Sequence, residues 1–487
     1  MSLIAPVSAI RPLAIAAVLL VLAGCATPPA PPPGVLSAWT QFGPQASISV
    51  RAIVPQGTPC PPLNTDQGTL TMPVRAAGNG DAPPAASANP AFQPPFPVTA
   101  CAIDLPAGAR TAAIAGEPLP LPPAVIGRIV ILGDTGCRIK VPAAGPGDPI
   151  QDCSDPHAWP WARIAAAAAR ERPDLVIHVG DYHYREYCDD PVRCAPLRDK
   201  GVIVGSGWSG WQADFFRPAA PLLAQAPWVF VRGNHENCDR GGEGWMRFLS
   251  PVPYQACPDQ RYKSPTQSVL ANNLTDDAWR IDLDAGLGLL VVDNAGQQDY
   301  LPLHSTPQDI ALFERQLAVL RQPAPAPRLW LLSHRPLWYD LLTPSQQPNA
   351  FQAALQGSLP ASVQLAIGGH EHAFQTLNFA TAGDPAGRPA QLVVGGSGTQ
   401  LEAQDPASPL YEGKTGPRGM ERGQPDGRLY DGLAARSGIL LLRHGFLVLD
   451  RDERGWAGRL LDADGGLVTR CRIDDARKEI ACAWPSG

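Results

Sequence analysis

Five times along the chain, a short apolar run stops at a cluster of residues that can carry protons or bind metals. The run 128–132 (RIVIL) leads into Gly133-Asp134-Thr135-Gly136, and 175–179 (LVIHV) into Gly180-Asp181-Tyr182-His183-Tyr184. The run 228–231 (WVFV) leads into Arg232-Gly233-Asn234-His235-Glu236, 329–332 (LWLL) into Ser333-His334, and 363–367 (VQLAI) into Gly368-Gly369-His370-Glu371-His372. Apolar runs of this length bounded by glycine read as strands buried on both faces. Helical patterns over 158–172, 211–224 and 307–321 fall between these strands and a further one at 288–293, which predicts an α/β architecture. Open α/β sheets collect ligands beyond the carboxyl ends of their strands, so the five clusters should meet on one rim.

The chemistry of those clusters is specific. Five of the nine histidines (His183, His235, His334, His370 and His372) lie in them. Carboxylate, amide, phenolate and imidazole together make a hard-to-borderline donor set suited to two metal ions, and one bridging carboxylate would let seven side chains serve both. Two ions about 3.5–4 Å apart can clamp a phosphoryl group and deprotonate a water near neutral pH. His178, inside its strand, is expected in the core. Arg138, Arg185 and Arg335 lie close enough in sequence to meet substrate oxygens. Lys and Arg number 39 against 45 Asp and Glu, a net charge of −6, so no basic stripe for nucleic acid is evident.

These residues resemble the metallophosphoesterase (calcineurin-like) superfamily and, within it, the purple acid phosphatases. The superfamily's usual first motif is Asp-x-His, whereas this chain has Asp134-Thr135-Gly136. Purple acid phosphatases also lack that histidine and carry a tyrosine three residues after the second aspartate, matched here by Tyr184. The resemblance spans roughly 128–450 and implies a four-layer α/β/β/α sandwich preceded by a small β-rich module. It further implies that Asp134, Tyr184 and His372 hold one metal and Asn234, His334 and His370 the other, with Asp181 bridging. The phenolate implies Fe(III) in the first position, with Fe, Zn or Mn(II) in the second. The implied reaction is hydrolysis of phosphate monoesters of small molecules by attack of a metal-bound hydroxide on phosphorus. His235 is the catalytic candidate, orienting the phosphate or protonating the leaving oxygen. One departure is plain: plant purple acid phosphatases have further histidines about ten positions after the residue matching His334, and 335–344 (RPLWYDLLTP) has none. A phosphodiesterase acting on nucleotides or lipid head groups through the same site is therefore the alternative, with a non-catalytic envelope scaffold lipoprotein as a reading of another class.

The N-terminus predicts export. Arg11 precedes ten apolar residues, 13–22, too few to span a bilayer, which needs about 20. Leu22-Ala23-Gly24-Cys25 resembles a bacterial lipobox, which makes 1–24 a signal peptide and Cys25 a lipid anchor to a bacterial membrane, in the periplasm or cell envelope. Residues 25–36 read as a proline-rich tether, 37–125 as the β-rich module and 126–487 as the catalytic domain with C-terminal strands. Ten cysteines remain beyond Cys25, an even number that favours disulfides in an oxidising compartment. Successive pairing is the expectation, since each bridge then closes a local loop. Residues 399–437 read as a long polar loop.

Overall fold

The computed structural model describes residues 34–80, 94–139, 150–258, 274–284, 286–297, 307–321, 327–338, 349–355, 359–379, 387–402, 422–423, 429–430 and 433–483. The signal peptide, Cys25, nearly all of the tether and most of the 399–437 loop lie outside them.

Two large sheets carry the architecture. In the first, three parallel strands, Arg128–Leu132, Leu175–His178 and Trp228–Phe230, lie side by side. Four antiparallel strands from the C-terminal part, Gly445–Asp452, Gly455–Asp462, Leu467–Asp474 and Glu479–Cys482, extend one edge. In the second sheet, Leu287–Val291, Leu329–Leu332, Val363–Gly368 and Ala390–Val394 run parallel. Antiparallel strands flank them, among them Trp279–Asp284 and Phe374–Asn378.

Alternation along the strands explains the layering. Ile129, Ile131, Ile177 and Val229 face Leu289, Val291, Leu332, Ile367 and Leu392 of the second sheet and form the central core. The alternate residues Val130, Leu132 and Val176 pack under Trp161, Ile164 and Ala168 of the helix Trp161–Arg170. On the outer face of the second sheet, Leu290, Leu329 and Leu331 pack against Phe313 and Phe351 of the helices Pro307–Leu317 and Ala350–Leu355. The result is the expected order of helix, sheet, sheet, helix.

The segment 37–125 divides between two sheets. Ser37–Phe42 pairs in parallel with Trp228–Phe230 and carries Ile48–Pro55, Val98–Asp104 and Val74–Ala76 onto the first sheet, making eleven strands. Shorter strands, among them Pro62–Thr65 and Ala112–Ile114, form a separate four-stranded sheet. Arg75 secures this region by donating to the backbone carbonyls of Met246, Arg247, Ser250 and Val252. Among the described residues five disulfides are present, in successive pairing: Cys60–Cys101, Cys137–Cys153, Cys188–Cys194, Cys238–Cys257 and Cys471–Cys482.

The 211–224 helix departs from a simple pattern. It is Trp208–Trp211 and Arg217–Leu223 joined by a π-helical turn, Gln212–Phe216. Pro218 has no N–H to offer the carbonyl of Asp214, so the regular ladder cannot run through. The widened turn buries Asp214, whose carboxylate accepts from the backbone N–H of Cys137 and Tyr184 and pairs with Arg185.

Candidate metal centre

Each polar cluster follows the carboxyl end of its strand, and the backbone bends sharply to bring the side chains together. Asp134, Asp181 and His370 all occupy the left-handed region, at φ of 56°, 60° and 71°. Aspartate and histidine visit this region more readily than most residues, and strained backbone of this kind concentrates at functional sites. Gly180, at φ 103°, also lets His334 close on the loop, because a Cβ there would collide with the imidazole.

Two groups of three side chains result, Asp134–Asp181–His372 and Asp181–His334–His370, the donor atoms of each lying within 4.8 Å of one another. Asp181 belongs to both. Tyr184 Oη donates to Asp181 Oδ2 at 2.7 Å and lies 2.9 Å from His372 Nε2, on the side of the first group. The carboxamide oxygen of Asn234 lies 3.0 Å from His334 Nε2, on the side of the second. The seven side chains singled out in the sequence thus meet at one place. Asp134, Asp181, Tyr184, Asn234, His334 and His372 are buried and His370 is half-buried.

The donor set suits cations. His334 Nδ1 lies 2.8 Å from the carbonyl of Val179, and His372 Nδ1 2.8 Å from that of Gln400. A carbonyl only accepts, so each ring carries a proton on Nδ1 and turns Nε2 toward the cluster. Burial, with Arg138 nearby, pushes His372 down to about 3, which keeps its Nε2 lone pair available. Burial and then Asp181 push Asp134 well above the usual carboxylate range. Burial also opposes ionisation of Asp181, but His334 beside it outweighs that and holds the carboxyl low.

His235 stands beside the cluster. Its backbone N–H donates to Asp181 Oδ1 at 2.9 Å, and its ring lies 3.7 Å, centre to centre, from that of Tyr184. Nδ1 lies 2.5 Å from Glu186 Oε1, which also pairs with Arg240 Nε at 2.9 Å. His183 turns away toward Asp214, with 3.5 Å between Nδ1 and Oδ2, and stacks on Trp211. His178 is a core residue, bonded to Thr135 and stacked on Tyr182. Arg185 serves Asp214 and lies over Trp159.

The sequence did not disclose the roles of two residues. Glu236 accepts the backbone N–H groups of Gly233, Asp181, Tyr182 and His183, joining two of the ligand-bearing loops. Asn294, just beyond the strand Leu287–Val291, brackets Arg335 with its carboxamide. Both follow strand ends, which was the available signal, but neither shows its partner in the sequence.

A four-layer sandwich with such a rim defines a class, and the chain belongs to the calcineurin-like phosphoesterase family, which matches residues 127–374. No curated protein sequence matches it. Among solved structures it is similar to a purple acid phosphatase from seeds of yellow lupin (Lupinus luteus), with a TM-score of 0.51 and 16% identity over 89% of this chain and 73% of that one. A dimetal phosphatase from Danio rerio matches at a TM-score of 0.36 and 12% identity, over 74% of this chain and 100% of that one. The likeness to the lupin enzyme is one of fold. Family and fold together make the chain a phosphoesterase of the metallophosphoesterase class with a phosphorylated small-molecule substrate.

Proposed function

We propose that the chain hydrolyses phosphate monoesters at a dinuclear metal centre in which Asp134, Tyr184 and His372 hold one ion, Asn234, His334 and His370 the other, and Asp181 both. The observation that carries this reading is the pair of three-residue groups sharing Asp181. When bound, such ions offset charge on phosphoryl oxygens and lower the pKa of a water toward neutrality. The chain's own part is to hold the donors in place: the carbonyls of Val179 and Gln400 fix two imidazole tautomers, and Glu236 fixes the loop of Asp181. We assign His235 to the leaving-group oxygen. Glu186 pairs with its Nδ1, which leaves Nε2 for the substrate; donating a proton to the leaving oxygen needs the charged ring, whose charge the Glu186 carboxylate would support.

Asp181→Asn is expected to lose metal, from about two ions per chain, together with nearly all hydrolysis of an aryl phosphate monoester. Full retention of both overturns the dinuclear reading. A diester preference is favoured by the absence of histidine from 335–344. The rates on the monoester and the matching diester, with Asp181→Asn as the blank, decide between them, and two bound metals with neither rate above the blank would support the scaffold reading. We further propose Fe(III) beside Tyr184, with a divalent Fe, Zn or Mn partner. Visible phenolate-to-iron absorption should then disappear in Tyr184→Phe, and a colourless, active, two-metal protein overturns it.

The five disulfides are compatible with an exported protein, and no helix among the described residues is long and apolar enough to cross a membrane. We propose lipidation at Cys25 as the tether to the cell envelope. Cys25→Ser should release the chain from the membrane fraction, and an unchanged distribution would count against it.

A further inference from the structure

Arg335 Nη1 lies 2.9 Å from His370 Nε2. A guanidinium has donors only, so His370 must turn its Nε2 lone pair toward Arg335 and carry its own proton on Nδ1. That bond and metal ligation by His370 exclude each other. Ligation through Nε2 consumes the lone pair that Arg335 uses. Ligation through Nδ1 moves the proton to Nε2, and two donors then face one another. In either case Arg335 Nη1 loses this acceptor at the edge of the centre.

The root of the side chain is meanwhile fixed. Asn294 Oδ1 accepts from the backbone N–H of Arg335 at 3.0 Å, and Asn294 Nδ2 donates to its carbonyl at 2.9 Å. Ser333 Oγ donates to the same carbonyl at 3.0 Å. A guanidinium held at its backbone, with Nε donating to the carbonyl of Ala295 at 3.4 Å, and turned from an imidazole beside the centre keeps the planar fork that suits phosphoryl oxygens.

We propose that Arg335 is the substrate clamp of this centre. Once His370 gives its lone pair to a metal, the Arg335 guanidinium turns to a non-bridging oxygen of the phosphoryl group, and Asn294 is its positioning residue. Grip on the substrate is thereby coupled to filling of the His370 side. The proposal rests on the metal-centre reading above.

The test uses the full chain loaded with metal. Metal content is measured by mass spectrometry, inorganic phosphate binding by calorimetry, and hydrolysis of an aryl monoester as separate KM and kcat. Arg335→Met should keep the wild-type metal content and bind inorganic phosphate roughly 10- to 100-fold more weakly, the loss expected for a bond to a charged group. Its KM should rise by more than its kcat falls. Arg335→Lys, which keeps the charge without the fork, should recover part of the phosphate affinity, and it carries the test if the Met variant does not fold. Wild-type phosphate affinity in a fully loaded Arg335→Met protein overturns the clamp. Loss of metal in both variants also overturns it, by making Arg335 a support of the centre. Wild-type protein that takes up no metal instead overturns the metal-centre reading itself.

Discussion

One carboxylate, Glu236, gathers four backbone amides from the loops that carry Asp181 and Asn234. Glu236→Gln keeps the shape but turns an NH2 group toward amides that also donate. The expected cost is about 1–3 kcal/mol by urea unfolding, with weaker metal retention against a chelator. Unchanged unfolding and retention would show that the loops hold themselves. The contrast with Asp181 explains what the sequence discloses at this scale. Asp181, Asn234 and His334 stand at the ends of apolar runs, where any polar residue stands out. Apart from the Gly233 amide that Glu236 takes locally, Glu236, Glu186 and Asn294 act through partners 41 to 55 residues away, as in Glu236 to Asp181 or Asn294 to Arg335, and no local pattern announces such a bond.

At the scale of elements, three disulfides begin within four residues of a proposed ligand: Cys137 after Asp134, Cys188 after Tyr184 and Cys238 after Asn234. Each ties the far side of a ligand loop to a neighbouring segment. Removing Cys137–Cys153 by paired alanine substitution should cost about 3 kcal/mol of stability and speed metal loss to a chelator. Chelator resistance equal to wild type would confine that bridge to stability. Strands were legible because buried runs such as RIVIL have a single reading. The π-helical turn at Gln212–Phe216 was not, because Pro218 and Pro221 disturb the ladder without showing how it is repaired. Nor did the alternation within 37–125 show that Ser37–Phe42 joins the sheet bearing Asp134 and Asp181, because strand order depends on pairing across long separations.

For the molecule as a whole, buried neutral histidines set the acid limit. Burial pushes His235 and His372 to about 3 and His444 to about 4. Unfolded histidine titrates near 6.5, so between that value and the folded one the unfolded chain binds more protons. Stability is therefore present in full above about 6.5 and is lost as pH falls toward 3, by up to about 1.4 kcal/mol per pH unit for each such histidine. Thermal melting of metal-free protein from pH 7 to 4 should show this decline, reduced in His444→Gln. A flat profile would mean that these rings are solvated. The left-handed backbone at Asp134, Asp181 and His370 adds a demand of the same sign, because strain of about 1–3 kcal/mol at each persists only where the surroundings enforce it. Bound metal stabilises the folded state by mass action, about 4 kcal/mol at a thousand times its Kd. Metal supply would then govern how long each folded copy survives proteases, so scarcity of the ion would thin the population of the protein as well as silence it.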